Sequence, residues 1–244
     1  MPTVLLVRHG RTAANAGGTL AGRTPGVGLD DVGRAQVEAV ARRLAPLPLV
    51  AVVTSPLERC VATAEAVAAT GGTKRVPRPG TVVDDRLAEC DYGDWTGRPL
   101  KELAKDPLWP VVQAQPSAAT FPGGESMRAM QQRAVEVVRE TDARVAAEHG
   151  PDALWVAVSH GDVIKSVLAD ALGVHLDTFQ RIVVDPCSVS IVRYTPLRPF
   201  VVRVNDSGDL TALVPPPRRR RRAPSSDAAV GGGGGGPAAG AAPG

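Results

Sequence analysis

The stretch TVLLVRHGRTAAN, residues 3–15, begins as an uninterrupted apolar run and turns polar at Arg8 and His9. A continuous apolar run is typical of a strand that is covered on both faces in a parallel sheet. The same pattern recurs in LVAVVTS (49–55) and in ALWVAVSH (153–160). We therefore expect three buried strands, each followed at its carboxyl end by polar residues.

Helical patterns lie between and after these strands. Residues 29–44 have an acidic start, a basic end and apolar residues at helical spacing, and residues 161–173 end in a glycine. A third helix is predicted at about residues 126–148. In SPLE (55–58), Ser55 is predicted to cap a helix that runs to about Ala69. The alternation predicts an α/β fold, a three-layer α/β/α sandwich around a mostly parallel central sheet.

The remaining segments complete one predicted domain over residues 1–212. Residues 96–122 are rich in Pro and Ala and are predicted to form a partly helical excursion over one end of the sheet. VSIVRY (189–194) and FVVRVN (200–205) are predicted to form a closing pair of strands. Residues 213–244, which contain runs of Pro, Arg and Gly, are predicted to be disordered because they have little apolar surface to bury.

The distribution of charged residues along the chain narrows the classes of molecule that it is expected to bind. Five of the 28 basic residues are Arg218–Arg222, and only one of the 25 acidic residues, Asp227, lies in the predicted tail. The rest of the chain therefore carries no basic excess, which argues against nucleic acid as its main partner. For the arginine run, a solvated tail is a better interpretation than weak binding to nucleic acid or lipid.

The cysteines and the hydropathy pattern indicate a cytoplasmic setting. Three widely spaced cysteines, Cys60, Cys90 and Cys187, form neither a disulfide framework nor a metal-ligand cluster. No apolar stretch is long enough to be a membrane span, and the amino terminus does not match a signal peptide. We expect neither a bound metal nor an organic cofactor.

Three strand ends carry the residues suited to chemistry. Arg8-His9-Gly10 follows the first strand, Thr54-Ser55 leads into Arg59 after the second, and Ser159-His160-Gly161 follows the third. In an open α/β sheet, ligands bind beyond the carboxyl ends of the strands. Imidazoles and guanidiniums that converge at one edge suit a multiply charged anion such as a phosphoryl group.

Four motifs occur in order along the chain: LVRHGRTAAN, SPLERCVATAE, LAECDYGDWTG and VSHGD. Together they resemble the histidine phosphatase superfamily, which contains the cofactor-dependent phosphoglycerate mutases and their phosphatase relatives. The resemblance covers about residues 1–205 and implies the fold expected above. It also implies a small phosphorylated metabolite as substrate.

The resemblance implies a role for each residue of the motifs. His9 is expected to be the nucleophile, while Arg8 and Arg59 hold the phosphate and His160 donates to the transferring group. Four further residues are expected to contact the substrate: Asn15 and Thr12 through side chains, and Gly22 and Gly161 through the backbone.

Glu89 is the predicted general acid, which would protonate the leaving oxygen and later activate water. Asp91 and Asp94 lie nearby, and the choice of Glu89 rests on its place in the L-x-E motif of the family. Many relatives carry Glu or Gln where this chain has Arg11, and some have a second Gly where it has Asp162. Arg11 is expected either to select a second negative group on the substrate or to point to solvent.

Three functions are compatible with these residues. The first is hydrolysis of phosphomonoesters through a phosphohistidine, and the second is phosphoglycerate mutase activity, which needs a more enclosing lid. Mutases of the family have a longer insertion between the acid and the second histidine than residues 90–159 offer, so hydrolysis is favoured. The third is a phosphate-binding regulatory module without turnover, which would need neither a nucleophile nor an acid.

Overall fold

A mixed six-stranded sheet forms the centre of the computed structural model, which describes residues 2–72 and 76–208. The predicted disordered segment 213–244 and the predicted domain boundary at residue 212 lie outside the described residues. The strands in chain order are β1 (Thr3–Arg8), β2 (Leu49–Thr54), β3 (Thr81–Val83), β4 (Leu154–Ser159), β5 (Val189–Tyr194) and β6 (Pro199–Asp206).

The order of strands across the sheet is β3-β2-β4-β1-β5-β6. The first four are mutually parallel, whereas β5 runs antiparallel to β1 and β6 antiparallel to β5. This arrangement confirms both the mostly parallel sheet and the closing pair of strands. The chain's three continuous apolar runs are β2, β4 and β1, which lie side by side in the buried centre.

Helices cover both faces of the sheet, so the three-layer sandwich is confirmed. Helices α2 and α3 pack with Leu5, Val7 and Val156 on one face, and α6 and α7 pack with the aromatic core on the other. Within the described residues the α-helices are α1 (Ala13–Ala16), α2 (Asp31–Leu44), α3 (Glu58–Thr70), α4 (Leu100–Leu103), α5 (Trp109–Ala114), α6 (Met127–His149) and α7 (Gly161–Leu172).

Local sequence signals set most of the helix ends. The Asp30 carboxylate accepts the N–H of Gly33 at 2.7 Å and caps α2, and the Ser126 hydroxyl accepts that of Ala129 at 3.1 Å and caps α6. Gly173, in the left-handed region at φ 67°, ends α7 as predicted.

The predicted Ser55 cap is wrong. Helix α3 begins three residues later, at Glu58, after Leu57, which gives no side-chain cap. The Ser55 hydroxyl instead lies 2.8 Å from Nε2 of His160, a residue 105 positions away in the chain. The same hydroxyl accepts the N–H of Leu57 at 3.3 Å, so it keeps a local contact ahead of the helix while it also contacts a long-range partner.

The segment 96–122 forms the expected partly helical excursion, with α4, α5 and the 3-10 helix Pro116–Ala118. Its aromatic side chains anchor it, since Trp109 stacks on the buried Trp95 with ring centroids 6.0 Å apart. A bridge between Thr19 and Pro99 joins it to the loop that follows α1. The excursion thereby forms one wall beside the carboxyl edge of the sheet.

The sheet register places the three polar strand ends together. Arg8 at the end of β1 pairs with Ser159 at the end of β4, and Thr54 at the end of β2 pairs with Val158. His9, Ser55 and His160 therefore leave the sheet at the same edge. None of the described helices has the length and apolar character required to cross a membrane.

Candidate active site

His9 is held in one tautomer at the end of β1. Its Nδ1 lies 2.7 Å from the carbonyl oxygen of Gly10, which only an N–H donor can satisfy, so Nδ1 carries the proton and Nε2 keeps its lone pair. Burial, with the guanidiniums of Arg59 and Arg8, lowers the pKa of His9 well below its ordinary value. The ring is therefore neutral at pH 7, as a nucleophile requires.

Arg59 in the first turn of α3 lies between the two imidazoles. Its Nε donates to Nε2 of His9 at 3.3 Å. Its Nη2 donates to the carbonyl oxygen of Gly22 at 2.8 Å and lies 3.4 Å from Nδ1 of His160. The guanidinium is almost fully buried. A fixed cation thus lies against the unprotonated nitrogen of His9.

His160 lies beside His9, with ring centroids 5.2 Å apart and planes inclined by 60°. Its Nδ1 accepts from Arg59, so Nε2 carries the proton and donates to Ser55 Oγ at 2.8 Å. Burial, followed by the charge of Arg59, lowers the pKa of His160 well below its ordinary value. The two histidines and Arg59, from three separate motifs, meet as the sequence predicted.

The Glu89 carboxyl group completes this cluster. One of its oxygens, Oε1, accepts the N–H of Cys90 at 2.9 Å, and the other lies 3.9 Å from Nδ1 of His160. Burial, reinforced by the carboxylate of Asp162, raises the pKa of Glu89 to about 7. Of the three acids considered from the sequence, Glu89 is the buried one, since Asp91 is half-buried and Asp94 exposed.

A cleft with about 330 Å³ of space, including its solvent-open mouth, opens above these groups. His9, Arg59 and Glu89 form its floor, and the loop after α1 and the start of α4 form its walls. The residues that line it are His9, Thr12, Asn15, Thr19, Leu20, Ala21, Gly22, Arg59, Glu89, Tyr92 and Leu100.

Three of the predicted substrate contacts lie on this cleft. Gly22, in the left-handed region at φ 51°, brings its backbone to the wall, and an added Cβ would approach Thr96 Oγ1 to 2.8 Å. Thr12 and Asn15 form a capping box at the start of α1. Asn15 Oδ1 accepts from both the N–H and the hydroxyl of Thr12, so the amide Nδ2 is the donor end of Asn15.

Arg8, His160 and Gly161 lie behind the lining of the cleft. Arg8 is buried and donates from Nη1 to the carbonyl oxygen of Val184 at 2.7 Å. Its charge nonetheless acts on the pKa of both histidines. Gly161 is the first residue of α7, directly after His160. Direct contact of these three residues with substrate stays a prediction.

Arg11 neither points freely to solvent nor faces the cleft. Its Nε donates to Asp30 at 2.8 Å, and its backbone N–H donates to Oε1 of Gln36. The side chain therefore supports the start of α2. No cluster of three or more His, Cys, Asp or Glu side chains that could hold a metal ion is found in the part of the chain that the structure describes.

A buried ionic group beneath the cleft was not expected from the sequence. The Tyr92 hydroxyl donates to Asp162 at 2.8 Å, and Nζ of Lys165 lies 4.0 Å from the same carboxylate. The helical pattern of residues 161–173 gives no sign that a carboxylate and an ammonium three residues apart both face inward. Asp162 was noted only as a departure from relatives, and the structure gives it an electrostatic effect on Glu89.

Residues 4–207 match the model of the histidine phosphatase superfamily, branch 1. The chain belongs to this superfamily. The geometry agrees with that assignment, because the motifs from which the resemblance was drawn are the ones that meet around the cleft. The fold neighbours support it as well. A solved structure of Bacillus stearothermophilus YhfR is 28% identical, with a TM-score of 0.73 over 84% of this chain and 98% of that one.

Curated relatives carry several names. A bifunctional protein of Mycobacterium tuberculosis is 36% identical over 210 residues, which are 85% of this chain and 54% of that protein. The chain thus spans about half the length of this relative. Glucosyl-3-phosphoglycerate phosphatase of Mycolicibacterium vanbaalenii is 32% identical over 72% of this chain and 76% of that protein. Phosphoserine phosphatases and probable phosphoglycerate mutases are also among the matches.

Proposed function

We propose that this histidine phosphatase superfamily member is a phosphomonoester hydrolase that acts through a phosphohistidine on His9, with Glu89 as general acid and base. The observation that carries the proposal is the arrangement on the floor of the cleft. A neutral imidazole presents an unprotonated Nε2 beside a buried guanidinium, and a carboxyl group with a pKa of about 7 shares the same cleft.

Two displacements at phosphorus account for the reaction. In the first, Nε2 of His9 forms a bond to phosphorus while the ester P–O bond breaks, and Glu89 gives its proton to the departing oxygen. In the second, Glu89 takes a proton from water as the water oxygen bonds to phosphorus and the N–P bond breaks. Inorganic phosphate leaves, and both residues return to their starting protonation states.

Charge on the phosphoryl oxygens is balanced by protein groups in this proposal. Arg59 already contacts the nucleophilic nitrogen, and Arg8 adds a second positive charge from behind it. His160 would donate from Nδ1 after a change of tautomer. Further donors proposed for the phosphate are the Asn15 amide, the backbone N–H groups of Gly22 and Gly161, and the Thr12 hydroxyl once it releases Asn15 Oδ1.

The substrate class we propose is a small phosphorylated metabolite. The cleft is narrow and its walls carry short side chains such as Thr19 and Ala21, which suits a compact ester. The names of the relatives suggest glucosyl-3-phosphoglycerate and phosphoserine as members of a test panel. Three free, buried thiols fit the reducing cytoplasm in which we place the reaction.

Hydrolysis is preferred to mutase activity because the excursion 96–122 contributes only Leu100 to the lining of the cleft. A mutase must shield its phosphohistidine from water, which calls for a more extensive lid than this single side chain. A binding module without turnover is disfavoured because a binder needs neither a free nucleophilic nitrogen nor a protonated acid. We expect the reaction to need no divalent metal.

Trapping of the intermediate tests the proposal. The protein is mixed with a radiolabelled phosphate ester, quenched in base, and digested to locate acid-labile label. We expect label on His9, turnover that persists in chelator and inhibition by vanadate. Label on another residue, or turnover unchanged in His9→Ala, would contradict the mechanism. Transfer of phosphate between 3-phosphoglycerate and its bisphosphate in preference to water would favour the mutase.

A further inference from the structure

The segment that carries Glu89 has no regular secondary structure to satisfy its backbone hydrogen bonds. Residues 88–92 lie between the short 3-10 helices Asp85–Leu87 and Gly93–Trp95 and belong to no strand. Backbone carbonyls in such a segment need hydrogen-bond donors from elsewhere when they are buried. The donors that they receive decide where the Glu89 side chain points.

Arg133, in the second turn of α6, donates to carbonyls of this segment and of the 3-10 helix just before it. Its Nη1 donates to the carbonyl oxygens of Arg86 at 2.6 Å and Ala88 at 2.8 Å, and its Nη2 donates to that of Glu89 at 3.1 Å. The remaining carbonyl, of Leu87, accepts from the hydroxyl of Ser159 at 2.7 Å. One guanidinium therefore holds three of four consecutive carbonyls.

Glu125 fixes the plane of that guanidinium. Its two carboxylate oxygens accept from Nη2 and Nε of Arg133 at 2.6 and 3.1 Å, a bidentate pair that is largely shielded from solvent. The same carboxylate accepts the backbone N–H of Asp91 at 2.8 Å. Arg23 completes the group, because its Nε donates to the Glu89 carbonyl at 2.8 Å and its Nη2 to Glu125 at 3.0 Å.

The peptide bond between Glu89 and Cys90 transmits this constraint to the carboxyl group. Its carbonyl oxygen accepts from Arg133 and Arg23, and its N–H donates to Oε1 of Glu89 at 2.9 Å. Since the peptide unit is planar, fixing the carbonyl direction also fixes the N–H direction. The two arginines thus orient, from one side of the peptide, the carboxyl group that lies on the other.

We propose that Arg133, held by Glu125, is a positioning residue for the general acid. The inference rests on the function proposed above, and it extends that function to residues that do not line the cleft. Arg133 acts through the peptide after Glu89 and touches neither the nucleophile nor the cleft.

Two aryl phosphate esters distinguish a misplaced Glu89 carboxyl group from a general loss of structure. Phenyl phosphate releases a basic phenolate that needs a proton, whereas 2,4-dinitrophenyl phosphate releases a weakly basic anion that does not. Because the dinitrophenyl ester is the larger of the two, each variant is compared with wild type on the same ester. The measured quantity is kcat/KM, because it reports only the steps up to departure of the leaving group and omits hydrolysis of the phosphohistidine.

In Arg133→Met, kcat/KM for phenyl phosphate should fall at least tenfold, and that for the dinitrophenyl ester less than threefold. The matched control is Arg139→Met on the same helix, which removes an exposed ion pair with Asp170 and should change neither value by more than twofold. Equal losses on both esters in Arg133→Met, or no loss on phenyl phosphate, would overturn the inference.

A double-mutant cycle gives a second readout. If Arg133 acts through Glu89, adding Arg133→Met to Glu89→Gln should cause no further loss of kcat/KM on phenyl phosphate. If the two substitutions acted independently, their fold-losses in kcat/KM would multiply, and that result would refute the inference. If Arg133→Met does not fold, Arg23→Met provides the test, since Arg23 is partly exposed and donates to the same carbonyl. Its loss should be smaller and equally confined to phenyl phosphate, and a loss shared by both esters would count against the inference.

Assays of the wild-type protein distinguish failure of the positioning role of Arg133 from failure of the proposed phosphatase function. Hydrolysis of both esters with labelling of His9, but no selective loss in the arginine variants, would remove the positioning role and leave the proposed function intact. If the wild type hydrolysed neither ester, nor any member of the phosphate panel, the proposed function would fail and the inference would fall with it.

Discussion

The raised pKa of Glu89 makes a quantitative prediction about the pH dependence of catalysis. A general acid works only while protonated, so its contribution must be lost as pH rises through its pKa. With a pKa of about 7, the protonated fraction of Glu89 is about 0.9 at pH 6 and about 0.1 at pH 8. The contribution of Glu89 should therefore fall about tenfold between these pH values.

The assay compares wild type with Glu89→Gln on phenyl phosphate, using kcat/KM, which reports pKa values of the free enzyme. Dividing one profile by the other cancels the ionisation of the substrate. His9 does not disturb the comparison, because its lowered pKa keeps it neutral throughout this range. At pH 6 the wild type should exceed the variant by about 10²- to 10⁴-fold, a typical contribution of a general acid.

Two results would refute the reasoning. If the ratio of wild type to Glu89→Gln stayed constant from pH 6 to pH 8, the group would not titrate in this range and burial would not set its pKa as described. If Glu89→Gln kept wild-type activity on phenyl phosphate, Glu89 would not be the acid at all. The dinitrophenyl ester serves as the internal control, because its leaving group gains little from protonation.

Substitutions at three further positions test the nucleophile, the neighbour that raises the pKa of Glu89, and the packing at the start of α2. His9→Ala should abolish turnover of both aryl esters, and residual hydrolysis above about one part in a thousand would point to another nucleophile. Asp162→Asn removes a carboxylate that raises the pKa of Glu89, so the descending limb on phenyl phosphate should move to lower pH; an unmoved or higher midpoint would contradict this. Gly33→Ala would place a Cβ 2.0 Å from the Arg11 carbonyl oxygen and should cost about 3 kcal/mol in urea unfolding. Gly28→Ala, with open space around it, should change stability by less than about 0.5 kcal/mol.

Much of the site could be predicted from sequence because its parts lie at strand ends. An apolar run that stops at a polar residue marks both the strand and its edge, and this holds for His9 and for His160. The motif around Arg59 was informative for the same reason, since it follows β2 directly. The predicted helix start failed at Ser55, because α3 begins only at Glu58, and the Ser55 hydroxyl, which accepts the N–H of Leu57, also contacts a histidine 105 residues away.

The supporting residues could not be found in this way. Arg133 is separated by 44 to 47 residues from the carbonyls that it holds, and nothing in the helical pattern of α6 distinguishes it from Arg139. Glu125 lies just before the helix predicted at about residues 126–148, in a connecting segment where a carboxylate ordinarily faces water. Their roles depend on how α6 lies against the segment before Glu89, which is a property of packing between distant parts of the chain.

The sequence by itself determined the α/β class, the polar edge of the sheet and the residue types available for phosphoryl chemistry. These depend on periodicity and on strand ends, which are local properties of the chain. Only the tertiary structure decided which nitrogen of His9 is free, how burial and Asp162 shift the pKa of Glu89, and which arginines hold its backbone. Those properties depend on the exclusion of water and on distances between groups that are remote in sequence, so they exist only in the folded chain.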